Sequence, residues 1–277
     1  MTVAIARPVA PLFDNLPGIE SHVKDADRIA LFLDFDGTVS RIVPTPSEAE
    51  IDPQVRPVLE RLVARSDFDV AIVSGRAVSD VRQRARLGNV IYVGNHGFEI
   101  EAGETRFREP KAEALRRELK CLSLQLQLAL GEIEGAAVED KGLTLSVHFR
   151  CVSEELQGWV EKTAWEVVSR SKSFIARPGK KVVDVRPELA WHKGHAVQWI
   201  CREVLHGSTL PIYIGDDATD EDAFAAIPHG ITIKVGGTSA TEAQYQVSGV
   251  SEVGRFLDWL DHAKPHESLA NAQRVGG

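Results

Sequence analysis

Cysteine is scarce. Cys121, Cys151 and Cys201 are the three in 277 residues, far apart and with no Cys-x-x-Cys pair. That pattern argues against a disulfide framework or a structural zinc and points to a reducing compartment. Apolar runs as long as a membrane span are missing. Residues 1–12 hold Pro8 and Pro11 and no sustained apolar stretch, so no signal peptide is expected. The expectation is a soluble cytoplasmic protein with no membrane partner. Basic residues are also in deficit: Lys+Arg 32 against Asp+Glu 40 leaves a net charge of −8. Such a chain lacks the cationic surface that displaces counterions from DNA or RNA, so no nucleic-acid partner is expected. A local cation cluster can still bind an anion inside an acidic protein. No G-x-G-x-x-G follows a strand and no G-x-x-x-x-G-K-[ST] occurs, which argues against a dinucleotide enzyme. Internal repeats and low-complexity segments are absent too.

What is present is an ordinary globular composition, 43% hydrophobic and 26% charged, in a chain long enough to bury a substantial core. Residues 29–33 (IALFL), 70–73 (VAIV), 90–93 (VIYV) and 211–214 (PIYI) are apolar throughout. Strands apolar on both faces belong to a parallel sheet covered on both sides by helices. Helical patterns at 53–65, 78–86, 193–205, 221–227 and 253–262 supply the cover. Alternation of this kind predicts an α/β core.

The middle of the chain departs from that rhythm. Leu115, Leu119, Leu122, Leu126 and Leu130 recur at helical spacing, although Leu122, Leu124, Leu126 and Leu128 would also suit a strand; length and helix formers favour helix. In 143–149, Leu143, Leu145, Val147 and Phe149 alternate with Thr144, Ser146 and His148, predicting an antiparallel strand with one packed and one open face. Ser153 is placed to cap a further helix whose buried side carries Leu156, Trp159, Val160, Ala164 and Val167. An α+β unit over 106–180 is thus expected, inserted between core segments 1–105 and 181–277. The ends, before about Asp27 and after about Pro265, read as loosely ordered.

Chemistry concentrates at strand ends. In LFLDFDGT, Asp34 and Asp36 stand two apart at the carboxyl end of a strand, where open α/β sheets bind ligands, and Gly37 permits a tight turn. In YIGDDATDED, five acids fall within seven residues and repel one another unless a cation gathers some of them; oxygen ligands of this kind suit Mg²⁺. Glu221 and Asp222 are read as favouring the helix dipole, whereas Asp216 ends a strand as Asp34 does. Ser74-Gly75-Arg76 places a hydroxyl, free backbone N–H groups and a guanidinium after another strand, and Lys193 opens a helix.

In this order the four junctions resemble the haloacid-dehalogenase-like phosphatases. Together with Val43-Pro44-Thr45-Pro46, Gly94-Asn95-His96-Gly97, Val138-Glu139-Asp140-Lys141-Gly142, His148-Phe149-Arg150 and Arg186-Pro187, they resemble the trehalose-6-phosphate phosphatase family, from about Ile29 to Val235. The resemblance implies a Rossmann-like parallel-sheet core with an inserted α+β cap, and Mg²⁺-dependent hydrolysis of trehalose 6-phosphate. It implies Asp34 as nucleophile and Asp36 as acid and then base, with Asp36 starting protonated. Asp34, the Asp36 carbonyl and Asp216 would hold the metal. Asp217 and Asp220 would fix waters or Lys193, while Ser74 and Lys193 would hold phosphoryl oxygens. It carries Arg76, His96, Glu139, Lys141, Arg150, Lys180 and Asp184 into substrate binding; Asp184 stands where the family usually has Glu, one methylene longer. A sugar-phosphate substrate, functional coupling to trehalose-6-phosphate synthase and a monomeric state complete the expectation. Phosphatases of sucrose phosphate or mannosyl-glycerate phosphate, and a non-catalytic sugar-phosphate-binding module, are the alternatives. Gly94–Gly97 and Gly179, near the expected crossings between units, are read as hinges.

Overall fold

A strand can be apolar on both faces only if both faces are covered, and the strand that ends on Asp34 sits at the centre of such a sheet. The computed structural model describes residues 9–43, 45–205, 207–237 and 240–264. These fall into two units: one built from the described residues up to Ser74, from 78–106 and from His192 onward, the other from Gly75–Ala77 and Phe107–Trp191.

In chain order the first unit carries β1 (Ala10–Pro11), α1 (Leu16–Asp25), β2 (Arg28–Asp34), α2 (Arg56–Val63), β3 (Phe68–Val73), α3 (Val78–Ala85), β4 (Ile91–Gly94), β5 (Glu99–Ala102) and the start of β6 (Thr105–Arg108), whose last two residues group with the second unit. The second unit follows with α4 (Pro110–Ala114), α5 (Arg116–Leu130), β7 (Ala137–Asp140), β8 (Leu145–His148), α6 (Glu154–Val168), β9 (Phe174–Gly179) and β10 (Val182–Pro187). The chain then returns to the first unit through α7 (Lys193–Glu203), β11 (Thr209–Gly215), α8 (Glu221–Ala226), β12 (Ile231–Val235), β13 (Tyr245–Val247) and α9 (Val250–Ala263).

Among the described residues the first unit's sheet has the order β1-β13-β12-β11-β2-β3-β4-β5-β6. It is parallel from β1 to β4 and turns antiparallel at β5, in agreement with the α/β core expected from the apolar runs. Register places the functional strand ends side by side. Ile214 of β11 pairs with Leu33, and Asp34 pairs with Val73 of β3, so Gly215 and Ser74 each follow a residue beside the β2 terminus. The strand order diverges on either side of β2, the kind of switch point at which open α/β sheets bind ligands.

The N-terminal region corrects the sequence expectation. Residues before Asp27 are ordered from β1 onward: β1 pairs with β13, and α1 buries Ile19 and Val23. One apolar residue per turn is enough to dock a ten-residue helix, but it leaves a weak periodic signal. Residues beyond Lys264, and Pro44 within the quoted motif, lie outside the described residues.

The second unit is a two-layer α+β assembly. Its sheet has the order β7-β8-β10-β9 and is antiparallel throughout. One face, with Leu145, Val147, Val183, Val185 and Ala176, packs with Leu119, Leu122, Leu126 and Leu130 of α5 and Val160, Ala164 and Val167 of α6. Leu124 and Leu128 of α5 are 51% and 86% exposed, which settles the helix-versus-strand ambiguity, since a strand would have buried them with Leu122 and Leu126. Leu156 and Trp159 of α6, expected on its buried side, are also exposed, and Ser153 sits at the N-cap position without a side-chain cap bond. The face of 143–149 expected to be open is closed at Thr144, just before β8, and at Ser146 within it, both 1% exposed. The expected boundary at Lys180 falls inside a hairpin: β10 pairs along the whole of β9, so the unit runs to Trp191. Gly179 therefore lies in that hairpin and Gly94–Gly97 inside the first unit, and neither is at a division.

In the first unit, the turn that follows α2 is joined to the end of α9 by buried charge. Arg65 donates to Asp67 (2.8 and 3.0 Å), to the Asp261 carboxylate (3.0 Å) and to the carbonyls of Asp261 (2.8 Å) and Lys264 (3.0 Å). The last two bonds satisfy carbonyls left open at the end of α9. Burial pushes the Asp67 and Asp261 carboxyls up, but the arginine hydrogen bonds outweigh it and hold both below the ordinary value. Carboxyls depressed in the folded state stabilise it above their unfolded pKa of about 4, and that contribution fades as pH falls through the lower folded values. Arg65→Ala is expected to cost about 3 kcal/mol at pH 7. Urea midpoints measured from pH 7 to pH 3 should show the gap from wild type narrowing below about pH 4; a gap independent of pH would contradict this assignment.

Candidate active site

Asp34 is the last residue of a fully apolar strand and is only 5% exposed. Immediately after it the chain folds back: Val39 and Ser40 donate backbone N–H groups to the Phe35 carbonyl (3.2 and 2.9 Å), and Gly37 donates to that of Ser40 (2.8 Å). Gly37 is required here on two counts. Its φ is +90°, and a Cβ at this position would lie 2.2 Å from Oδ2 of Asp216. Asp36 sits in this turn, half-buried and bridged to Ser40.

Lys193, the first residue of α7, is 2% exposed. Its Nζ donates to Asp34 Oδ1 at 2.7 Å and to Asp220 Oδ1 at 2.8 Å. Asp220, which is fully buried, also accepts from the Tyr213 hydroxyl at 2.7 Å and, through Oδ2, from the Asp217 backbone N–H at 3.0 Å. Gly215 leaves room for that carboxylate, since a Cβ there would meet the Asp220 side chain at 2.3 Å. Lys234, from β12, holds the acidic loop from behind through the Asp217 carbonyl (2.9 Å) and the Glu221 carboxylate (3.2 Å).

These contacts set the charges. Burial raises Asp34 well above the ordinary carboxyl value, Lys193 opposes it, and the charges of Asp220, Asp216 and Asp217 add to the rise. Burial alone would lower the Lys193 ammonium, but Asp220 and Asp34 outweigh it and keep the group charged. Asp217 is solvent-exposed by area yet crowded by protein atoms. That crowding pushes its carboxyl up, but Lys193, the Thr219 hydrogen bonds and His96 hold it down at about 2.

Ser74 follows β3 and is 1% exposed; its backbone N–H donates to Val93 (2.9 Å) and its carbonyl accepts from His96 (3.1 Å). His96 is buried, with φ +56°. Arg76 is half-buried in the Gly75–Ala77 stretch, which groups with the second unit. Within that unit, register puts Glu139, Ser146 and Asp184 in one row across β7, β8 and β10. Glu139 pairs with His148 at 2.8 Å. Asp184 accepts from Ser146 and lies 3.7 Å from the Lys141 ammonium, while Arg150 donates to the Lys180 carbonyl at 3.0 Å.

The fold therefore gathers Asp34, Lys193, Asp216, Asp217 and Asp220 into one cluster, with Asp36 in the adjoining turn and Ser74 after the neighbouring strand. In the second unit Glu139 shares a register row with Asp184, which lies near Lys141, while Arg150 contacts the Lys180 carbonyl. Sequence reasoning missed Tyr213 and Lys234. The signal was present: each is the one strongly polar side chain in a buried strand, PIYI and ITIKV, where a polar group without a partner is costly.

Oxygens of Asp34, Asp216 and Asp220 lie within 4.8 Å of one another, a hard-oxygen set that could hold a divalent cation. Asp220 already accepts three protein donors, whereas the glycine at position 37 leaves space for the Asp216 carboxylate beside β2. The arrangement fits a metal on Asp34 and Asp216, with Asp220 holding the lysine.

A family model described as trehalose-phosphatase matches residues 32–251. The chain is similar to a trehalose-phosphate phosphatase of Mycobacterium tuberculosis, 35% identical over 244 residues, covering 85% of this chain and 62% of that protein. It is also similar to a probable trehalose-phosphate phosphatase of Arabidopsis thaliana, 34% identical over 253 residues, covering 84% of this chain and 67% of the relative. The chain thus spans less than two thirds of the mycobacterial protein's length. In structure it resembles the C-terminal domain of a C. albicans trehalose-6-phosphate phosphatase, with a TM-score of 0.77 at 19% identity, covering 94% of this chain and 99% of that one. A trehalose-6-phosphate phosphatase related protein gives 0.73 at 24% identity, covering 84% and 97%. With a family match over most of its length and a shared fold, this chain belongs to the trehalose-phosphatase family.

Proposed function

We propose that the chain hydrolyses trehalose 6-phosphate to trehalose and phosphate. The observation that carries the reading is the buried Lys193 ammonium clamped between Asp34 and Asp220 at the carboxyl end of the central strand. Such an arrangement suits attack by a carboxylate on a dianion, because the lysine offsets the repulsion between them.

In this reading an oxygen of Asp34 attacks phosphorus, and the bond from phosphorus to the sugar oxygen breaks. Asp36 delivers its proton to the departing oxygen, leaving an aspartyl-phosphate on Asp34. Asp36 then takes a proton from water, whose oxygen attacks phosphorus, and the bond to Asp34 breaks. Ser74 and the third N–H of Lys193 hold phosphoryl oxygens through both steps. Mg²⁺ is proposed on Asp34, the Asp36 carbonyl and Asp216, where it would supply Lewis-acid charge to the phosphoryl group. Asp217, anchored by Thr219 and Lys234, orders the loop around Asp216. Glu139, Lys141, Arg150, Lys180 and Asp184 are proposed to recognise the sugar, with Arg76 and His96 as further substrate contacts. A face carrying both donors and acceptors suits a ligand with many hydroxyls.

The same reading places the chain in the cytoplasm as a monomer, acting on the product of trehalose-6-phosphate synthase. Three free thiols suit a reducing compartment, and no helix among the described residues is long and apolar enough to cross a membrane.

Phosphate release from trehalose 6-phosphate should exceed that from glucose 6-phosphate by about 100-fold or more, because the smaller sugar leaves polar groups unpaired. EDTA should abolish it and excess Mg²⁺ restore it; equal rates on the two sugars would sink the substrate assignment. Asp34→Asn should lower turnover by at least about 1,000-fold while the melting temperature holds or rises, since a buried repelling carboxylate is removed. Wild-type turnover in that variant would rule out Asp34 as the nucleophile.

A further inference from the structure

Tyr213 is fully buried, yet its hydroxyl is spent on a single acceptor, Asp220 Oδ1, at 2.7 Å. The same oxygen receives Lys193 at 2.8 Å, and Lys193 in turn reaches Asp34 at 2.7 Å. Phenol, carboxylate, ammonium and carboxylate thus form a continuous chain with little solvent access. We infer that Tyr213 is a positioning residue for phosphoryl transfer, setting the place of the Lys193 ammonium through Asp220. The inference rests on the phosphatase reading and extends it to a residue that never touches the substrate.

The geometry of the ring supports the role. Tyr213 pairs in register with Phe32 of β2, stacks on it at 6.4 Å between centroids, and meets Phe224 edge-on at 5.6 Å. A ring held on two sides aims its hydroxyl in one direction. Lysine, by contrast, has a long flexible stem, so its ammonium stands wherever its acceptors hold it. With both Tyr213 and Lys193 on Oδ1, the negative charge of Asp220 is shared. Without the phenol Oδ1 serves Lys193 alone, the ion pair tightens, and the ammonium is drawn from Asp34 and from an incoming phosphoryl oxygen.

Tyr213→Phe removes the hydroxyl and keeps both ring contacts, so a purely packing role predicts no change. The test measures turnover of trehalose 6-phosphate and of p-nitrophenyl phosphate by the whole chain with Mg²⁺, alongside melting temperature. We expect kcat to fall about tenfold on both substrates, with KM within about twofold of wild type, because the lost interaction matters most in the transition state. In an Asp220→Asn background, assayed at single turnover, the same change should lower the rate by less than about twofold, since residues acting in one chain are not additive. An unchanged kcat in the single variant, or a full tenfold further loss in the Asp220→Asn background, would overturn the inference. If wild type hydrolyses p-nitrophenyl phosphate but not trehalose 6-phosphate, the substrate reading fails, while a tenfold loss in Tyr213→Phe still upholds the tyrosine's role. A wild-type chain that neither hydrolyses p-nitrophenyl phosphate nor binds orthophosphate by calorimetry would overturn both.

Discussion

A lysine ammonium that is 2% exposed has given up its hydration, and Lys193 recovers that loss from Asp34 and Asp220 at 2.7 and 2.8 Å. The dependence is mutual. Neither carboxylate would be tolerated at these depths without a counter-charge, because an isolated buried ion neutralises or disrupts its surroundings. Much of the first unit's carboxyl edge follows from this arrangement. The start of α7 must reach the end of β2, Gly215 must lack a side chain so that Asp220 can approach, and Gly37 must lack one so that Asp216 can. Tyr213 and Lys234 then secure the far side of the acidic loop. These charges are concentrated where the strand order diverges on either side of β2.

The second unit solves a different problem with simpler means. An antiparallel sheet with helices on one face leaves its other face for polar side chains. Here those side chains are already paired: Glu139 with His148, and Asp184 with Ser146 and near Lys141. Pairing orients groups that would otherwise move freely, and a polar face ordered in advance costs less to order when a ligand binds. The shorter acid at position 184 is matched by the serine that donates to it. Asp184 is thereby held close to its own sheet.

Legibility followed burial symmetry. Residues 29–33 were readable as a central strand because nothing polar interrupts them, and an acid directly after such a run is hard to explain without a ligand. The same reasoning singled out Asp216, while Ser74 was chosen for following the apolar run at 70–73 and Lys193 for opening a helix. Other strands were harder: β1, β5, β6 and β13 are short, and β12 contains Lys234, which breaks its apolar run. The α1 helix went unread because Ile19 and Val23 are its only buried residues. The boundary at Lys180 was misplaced because a hairpin turn and a domain exit look alike in sequence, and only pairing of β10 with β9 distinguishes them. Tyr213 was taken as one more apolar residue of PIYI, since its hydroxyl's partner lies seven residues away on a loop whose path no local pattern specifies.

The central claim is that Lys193 compensates two buried carboxylates, and thermal melting of Lys193→Met at pH 7 in metal-free buffer tests it most directly. Methionine keeps much of the stem and removes the charge, leaving Asp34 and Asp220 buried against each other. The account predicts a melting temperature lower by roughly 10 °C, with part of the loss recovered when Asp34→Asn is added. A Lys193→Met variant that melts with wild type, with or without the second change, would contradict it.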